Sequence, residues 1–278
     1  MTLIKEIVAS ISELPPFPKV AQRLMGMTEN YEIGADKLAE VVQLDASITA
    51  NMLKIVNSAL YALPRKVDNL KQALALLGTE KFREVVITSF TSGMLSSSQP
   101  GYDMPPGELW RHSLATALMT QILAKRSGYT PGPALYTAAL LHDIGKVVLS
   151  NYVRDKVPDI LVLVDKGSSF LEAEEEVLGL DHAKLGALIA KTWQFTDDMI
   201  LLIEYHHHPE KMPEWRDLAT LYLADVLCAL LGFGVGVHGL AVRSKEDAIK
   251  LLGLKEPDLE YAMMEIHGRL SQAESMVD

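Results

Sequence analysis

The residues of this sequence that could do chemistry are its histidines and aspartates, and one of each stands side by side. His142 and Asp143 follow an apolar run over residues 134–141, and Gly145 and Lys146 come soon after. Imidazole and carboxylate groups are ligands of divalent transition metals, and a lysine can hold a phosphate oxygen as a point charge. The same pair also suits a structural role, with the histidine hydrogen-bonded at one helix end and the aspartate capping the next helix.

Further candidate ligands are spread over other predicted helices. His112 lies on a long helix, His182 begins another, His206 and His207 end a third, and Asp225 lies on an otherwise apolar one. An unpaired carboxylate at Asp225 would be costly to bury, so we expect a metal or a histidine beside it. Five histidines and two aspartates on facing helices are enough for two metals that share a carboxylate. Such a pair of metals activates water and holds a phosphoryl group.

Each of these side chains also has a simpler explanation when it is taken alone. His112 could be a polar residue on a helix face, and Asp225 could accept a hydrogen bond from a neighbouring helix. Residues 206–208, all histidine, could form a solvated helix end, where positive charge is favourable. The presence of all of them on separate predicted helices is what favours a metal site.

The elements that must position these residues are predicted to be helices. Hydrophobic residues make up 49% of the chain and aromatic residues only 6%, so the core consists mostly of strong helix formers and the predicted fold is all-α. The stretch 96–107 is rich in Ser, Pro and Gly and predicts a boundary between an N-terminal lobe, 1–104, and a second lobe, 105–278. The helices predicted between residues 105 and 231 span 108–127, 134–141, 147–153, 155–164, 169–177, 182–193, 197–207 and 215–231. The acidic run within 169–177 is interpreted as a solvated helix face and comprises Glu172, Glu174, Glu175 and Glu176.

The charge balance and the cysteine content exclude several classes of function. The net charge of −10 opposes non-specific binding to nucleic acid or to an anionic membrane. The single cysteine, Cys228, excludes an internal disulfide and a cysteine-based zinc site, and it suits a reducing cytosol. The first residues lack the apolar core of a signal peptide, and no uncharged run reaches membrane-spanning length. We therefore expect a cytoplasmic protein with no nucleic-acid or membrane partner.

Two patterns could be mistaken for nucleic-acid or nucleotide binding. Residues 38–60 look superficially like a helix-turn-helix, but the second helix offers only Asn51, Lys54 and Asn57 to DNA, and the chain is acidic. We interpret them as packed helices. Residues 234–239 match the G-x-G-x-x-G spacing, which needs a preceding strand to bind a dinucleotide. Because a helix precedes them, we interpret the match as accidental.

The order of the candidate ligands along the chain resembles the ligand order of two related groups of metal enzymes. His112, the His142-Asp143 pair and Asp225 resemble the ligand set of the HD superfamily of metal-dependent phosphohydrolases. The additional histidines resemble the binuclear set of its HD-GYP branch, the cyclic-di-GMP phosphodiesterases, although that branch has a Gly-Tyr-Pro segment that this chain lacks. The resemblance implies catalytic roles for Asp143, which would bridge two metals, and for Lys146, which would contact substrate phosphate. The resemblance also implies the remaining ligands of each metal. One metal would be bound by His112, His142 and Asp225, and the other by His182, His206 and His207.

A second resemblance, to the HDOD domain, covers nearly the whole chain. The HDOD domain is a related output module of bacterial signalling proteins, and the resemblance implies a two-lobed helical bundle whose C-terminal lobe is HD-like. The motifs that carry it are Leu14-Pro15-Pro16-Phe17-Pro18, Asp45-Ala46-Ser47-Ile48-Thr49, Val56-Asn57-Ser58-Ala59-Leu60-Tyr61, the Ala73–Gly78 segment, Asp181-His182-Ala183-Lys184-Leu185-Gly186-Ala187 with Trp193, and His206-His207-His208-Pro209.

These observations lead to one expected function and one alternative. We expect a signalling output module with a retained His/Asp metal site that acts mainly by binding a signalling protein or a small phosphorylated ligand. The alternative is a metal-dependent phosphohydrolase that acts on a nucleotide or a cyclic dinucleotide. The site lacks thiolate, so iron or manganese is expected, one or two per chain, with zinc, nickel and cobalt as alternatives.

Overall fold

The fold is built from α-helices, as the composition predicts. The computed structural model describes residues 3–14, 16–18, 22, 42–43, 46–58, 61, 63, 66–234 and 246–274, and within these ranges the regular elements are helical. Residues 38–41, 44–45 and 59–60 of the helix-turn-helix interpretation lie outside these ranges, and so does the glycine motif after Gly234. The α-helices are α1 (Leu3–Ser10), α2 (Ala46–Val56), α3 (Leu70–Leu95), α4 (Glu108–Arg126), α5 (Leu135–Leu141), α6 (Ile144–Asp165), α7 (Phe170–Leu178), α8 (His182–Thr192), α9 (Asp197–Tyr205), α10 (Arg216–Leu230), α11 (Glu246–Leu252) and α12 (Glu256–Glu274).

The chain divides into two compact units. One unit contains Met1–Pro15 and Leu95–Ile266, and the other contains Pro16–Met94 and His267–Asp278. All of the candidate ligands lie in the first unit. The predicted boundary after residue 104 stays a prediction.

Helices α4 and α10 form the centre of the first unit. Helix α4 packs against α5 and α10, and α8 packs against α6 and α9. Helices α4 and α10 are buried along most of their length, as expected of helices that are apolar around most of their circumference. Polar residues on these helices therefore lie in the interior of the unit, and His112 and Asp225 are two of them.

Gly145 allows α6 and α8 to approach each other closely near their first turns, and Gly186 allows α8 to pack closely against α9. A Cβ atom on Gly145 would lie 2.0 Å from the carbonyl oxygen of His182, and one on Gly186 would lie 2.9 Å from a methyl carbon of Ile203. Any side chain at Gly145 would force α6 and α8 apart. The close approach brings the first residue of α8, His182, beside Asp143.

A third glycine holds the loop between α3 and α4 against α6. The backbone N–H of Gly101 donates a hydrogen bond to Ser150 Oγ at 3.1 Å, and a Cβ atom on Gly101 would lie 2.1 Å from the Ser150 carbonyl oxygen. The next residue, Tyr102, is completely buried. A segment that the sequence predicts only as a loop thus places an aromatic side chain in the interior.

Two predicted helix boundaries can be compared directly with the structure. The sequence predicts helices over 69–77 and 79–95 that are separated by Gly78, and Gly78 does interrupt α3 with a φ of 76°. Residues 147–153 and 155–164 are helical as predicted, but the break predicted between them is wrong, because α6 runs without interruption from Ile144 through Pro158 to Asp165. Pro158 and Arg154, whose carbonyl loses its hydrogen-bond donor to the proline, are both exposed, so water can replace the missing N–H.

Within the described residues, none of the helices is both long enough and apolar enough to cross a lipid bilayer.

Substitution of Gly145 tests the helix crossing that brings His182 to Asp143. We expect Gly145→Ala to lower the free energy of unfolding by about 3 kcal/mol, because the added methyl group meets backbone that cannot move aside. Urea unfolding followed by circular dichroism measures the change. Gly93→Ala is the control, since a Cβ atom there meets nothing within 4 Å and alanine favours a helix. Equal stability of the two variants would contradict the account of the crossing.

Candidate metal centre

Two groups of potential metal-ligand atoms lie in the first unit. Within each group, one donor atom from every residue lies within 4.8 Å of the others. The structure thus brings together all of the ligands that the sequence predicts, in the two sets that the resemblance implies. We call them the four-donor group, Asp143, His182, His206 and His207, and the three-donor group, His112, His142 and Asp225.

Most of these side chains are supplied by helix ends. His142 ends α5 and Asp143 precedes the first residue of α6, so the short connection between two helices supplies both. His182 opens α8 directly after Asp181, whose carboxylate accepts a hydrogen bond from the backbone N–H of Lys184 at 2.7 Å. His206 follows the last residue of α9. Because a helix end is fixed by its cap and by packing, these side chains start from well-defined positions.

The Asp143 carboxylate lies between the two groups and directs one oxygen to each. Its Oδ2 lies 3.4 Å from Nε2 of His142 and 3.5 Å from Nε2 of His112. Its Oδ1 lies 3.4 Å from Nε2 of His182 and 3.8 Å from Nε2 of His206. This is the arrangement of a carboxylate that can be shared by two cations.

Asp225 is the second carboxylate of the site and also contacts both groups. Its Oδ1 lies 3.0 Å from Nε2 of His112 and 3.7 Å from Nε2 of His142. Its Oδ2 lies 3.5 Å from Nδ1 of His207, and Nε2 of His207 lies 3.0 Å from Nε2 of His182. Asp225 and His207 therefore join the two groups by a second route.

Backbone carbonyl groups fix the orientation of three of the histidines. A carbonyl oxygen only accepts hydrogen bonds, so each Nδ1 carries a proton and each Nε2 faces the centre of the site. Outer contacts of this kind are typical of metal-bound histidines. The three hydrogen bonds run from His112 to Phe233 at 2.9 Å, from His142 to Ala139 at 2.8 Å and from His206 to Ile203 at 2.6 Å.

Gly234 allows the chain after α10 to reach His112. A Cβ atom on Gly234 would lie 2.4 Å from the carbonyl oxygen of Glu108 and 2.7 Å from Cβ of His112, and its φ is +58°. The adjacent Phe233 can therefore place its carbonyl against the His112 ring. The first glycine of the G-x-G-x-x-G match thus has a packing role at the metal site.

The charges around the site keep its carboxylates ionised. Burial alone would raise the pKa of Asp143, but His142 and Lys146 outweigh it and hold that pKa well below its usual range. The pKa of Asp225 is likewise lowered by His112 and His142 in spite of burial.

Two histidines of the site respond to their surroundings in opposite directions. Burial, followed by the charge of His142, lowers the pKa of His206 to about 3, so its Nε2 keeps a lone pair at neutral pH. Burial opposes the charging of His142, but Asp143 and Asp225 outweigh it and raise its pKa to about 10. A metal at the three-donor group would therefore displace a proton from His142.

Comparison with known proteins identifies the family. The family model of the HDOD domain matches residues 14–209. The chain belongs to the HDOD family. An HDOD domain protein of unknown function from Geobacter sulfurreducens is 26% identical, with a TM-score of 0.78 over 99% of this chain and 96% of its own. A protein named as a candidate phosphohydrolase from Shewanella amazonensis SB2B is 24% identical, with a TM-score of 0.73 over 98% of both chains.

The chain spans less than half the length of a longer relative. An uncharacterised protein of Treponema pallidum is 23% identical over 218 residues, which make up 76% of this chain. The match spans only 41% of the length of the Treponema protein.

Lys146 of the HDOD domain is enclosed beside the candidate metal ligands. Its side chain is 1% exposed, its Nζ lies 2.6 Å from Asp143 Oδ2, and its ammonium lies 5.6 Å from the centre of the Tyr102 ring. The contact with substrate phosphate that the resemblance implies for Lys146 stays a prediction. In the structure, Lys146 contacts the carboxylate of Asp143, which lies between the two donor groups.

Glu174 is a residue of the site that the sequence analysis misses. The interpretation of its acidic run as a solvated face is wrong for Glu174, which is fully buried and accepts a hydrogen bond from Nδ1 of His182 at 2.6 Å. The spacing of the apolar residues in this helix already indicates that Glu174 is buried. Phe170, Glu174 and Leu178 are four residues apart and all buried, so Glu174 lies on the apolar face of α7.

The site fits a divalent transition metal. Asp143 Oδ1 and His206 Nε2 are buried and have no hydrogen-bond partner, although they lie only 3.8 Å apart. Buried polar atoms are normally satisfied, and a cation bound by both would satisfy this pair. A set of imidazoles and carboxylates without thiolate suits iron, manganese, zinc, nickel or cobalt.

Removal of Asp143 tests the buried ion pair in the metal-free protein. We expect Asp143→Ala to lower the free energy of unfolding by about 3 kcal/mol, because the buried ammonium of Lys146 loses its carboxylate. The double variant with Lys146→Met should recover most of that loss, since both charges are then removed. Chemical unfolding in the presence of chelator measures the coupling. Additive effects of the two substitutions would contradict the ion pair.

Proposed function

We propose that this HDOD domain is a metal-dependent output module of bacterial signalling, which binds two divalent metals and acts mainly through protein or ligand binding. The observation that carries the proposal is the shared carboxylate of Asp143, with one oxygen facing each donor group. Four histidine rings with fixed orientation surround it. The resemblance to signalling output modules provides the functional context.

The burial of the site favours a structural or sensing role for the metals over catalysis. The side chains of His112, His142 and His206 are completely buried, whereas that of His207 is 24% exposed. Among the described residues of the site, the edge at His207 is therefore the one that reaches solvent. The enclosed ammonium of Lys146 stabilises Asp143 rather than facing that edge. A centre of this kind suits a metal that organises the fold and whose loss would be transmitted to a partner.

The partner is a signalling protein or a small phosphorylated ligand in this proposal. The net charge of −10 argues against nucleic acid and against an anionic membrane. We expect the protein to act in the cytoplasm. Iron or manganese is the expected metal, with zinc, nickel and cobalt as alternatives.

A second candidate function is a metal-dependent phosphohydrolase that acts on a nucleotide or a cyclic dinucleotide. The complete set of seven donors favours it. The name of the Shewanella amazonensis protein of similar fold, a candidate phosphohydrolase, also favours it. A bound metal pair supplies a Lewis acid that activates water and neutralises phosphoryl charge. Asp143 would position both metals and Lys146 would hold Asp143 in place. The absence of a Gly-Tyr-Pro segment favours the first function.

Metal content tests the proposal directly. Untagged protein purified without chelator should contain about two metals per chain by elemental analysis, as in two-metal sites of this type. The double variant His142→Ala/Asp143→Ala should contain none while its circular dichroism spectrum stays helical. His208→Ala is the matched control, because His208 adjoins the site but pairs with the exposed Glu210 and should keep both metals.

A phosphodiesterase assay on the same sample separates the two candidate functions. Metal-loaded protein that does not hydrolyse a cyclic dinucleotide supports the signalling module. Turnover that disappears in the His142→Ala/Asp143→Ala variant supports the phosphohydrolase instead. Wild-type protein without metal after reconstitution would contradict both.

A further inference from the structure

The outer contact of His182 differs from those of the other oriented histidines. His112, His142 and His206 face neutral backbone carbonyls, whereas His182 Nδ1 donates to a carboxylate, Oε2 of Glu174, at 2.6 Å. A carboxylate partner fixes the tautomer of a histidine and also makes the ring a more basic ligand. Among the described residues, a histidine whose outer hydrogen-bond partner is a glutamate carboxylate occurs in the four-donor group and not in the three-donor group.

Glu174 is itself held from two further directions. The hydroxyl of Tyr102 donates to Oε1 at 2.6 Å, and the backbone N–H of His182 donates to Oε2 at 3.1 Å. Burial, followed by the charge of Glu174, raises the pKa of Tyr102 well above its usual value, so the hydroxyl stays protonated as a donor. The glutamate is thus fully buried with three donors around it, which compensates for the loss of its hydration.

Tyr102 contacts the site on two sides. Its hydroxyl holds Glu174, and the face of its ring lies toward the ammonium of Lys146, which pairs with Asp143. Glu174 and Lys146 each support a candidate ligand of the four-donor group, His182 and Asp143 respectively. The position of Tyr102 in turn depends on the close packing of Gly101 against α6.

We propose that Glu174 is a positioning residue that directs Nε2 of His182 into the site and thereby sets the affinity of the four-donor group for its metal, with Tyr102 holding the carboxylate in place. The proposal rests on the proposed metal-binding function and adds a difference between its two metals. Loss of Glu174 should release the metal of the four-donor group first, while the three-donor group keeps its own.

Two substitutions of Glu174 separate charge from orientation. In Glu174→Gln, the amide oxygen can accept both hydrogen bonds from His182 while the NH₂ group donates to Tyr102, so the orientation is kept and only the charge is lost. In Glu174→Ala both are lost. Metal affinity should fall about tenfold for glutamine and up to about 100-fold for alanine. Glu176→Gln, on the exposed side of the same helix, is the matched control and should not change it.

The experiment measures metal stoichiometry during titration with a competing chelator, with Mn²⁺ as the probe. We expect Glu174→Ala to pass through a state with about one metal per chain at chelator concentrations that leave wild type with both. Nitrogen NMR of histidine-labelled apoprotein gives a second readout. The signal of His182 should show a protonated Nδ1 in wild type and in Glu174→Gln, and a mixture of tautomers in Glu174→Ala.

The outcomes distinguish this proposal from the function on which it rests. A wild-type protein that binds no metal would overturn the proposed function and this proposal with it. A wild type that binds two metals, together with a folded Glu174→Ala variant of unchanged affinity, would overturn this proposal alone. If Glu174→Ala fails to fold, the glutamine variant decides: unchanged affinity there would overturn the proposal, and a selective tenfold loss would support it.

Discussion

The carboxylate of Asp143 is the constraint on which the rest of the site depends. It is buried and ionised, it faces histidines on two sides, and it carries a lysine on one of its oxygens. Burying such a charge is costly unless every lone pair has a partner. The surrounding helices bring their ends to a single point, where Lys146 pairs with Oδ2. A cation bound at Oδ1, which has no hydrogen-bond partner, would complete this requirement. The close contact of Gly145 on α6 with the start of α8 is what allows His182 to reach Asp143.

The residues around the ligands form a second layer that fixes ring orientation. Carbonyl groups from three different segments hold His112, His142 and His206, and the carboxylate of Glu174 holds His182. Orientation of this kind reduces the entropy cost of binding a metal, because the Nε2 atoms already face inward. The site therefore resembles a prearranged metal centre more than a group of core histidines that are satisfied by each other.

Much of this site could be predicted from the sequence, and the reason lies in its local motifs. His142-Asp143, Asp181-His182 and His206-His207 lie at helix ends, which caps and helical spacing reveal. Glu174 was missed because its acidic neighbours hid a position that helical spacing assigns to the apolar face. Tyr102 could not be predicted, because its burial depends on a close contact between Gly101 and a helix about fifty residues away. Such contacts leave no periodic pattern in the chain.

Anomalous diffraction from crystals of metal-loaded protein tests the central claim most directly. Two anomalous peaks, about 3.5–4 Å apart as in other two-metal sites, should lie on opposite sides of the Asp143 carboxylate, with one donor group around each. Peaks that share no ligand, or a single peak that leaves one oxygen of Asp143 without a metal, would contradict the role of Asp143 as the residue that joins the two halves of the site.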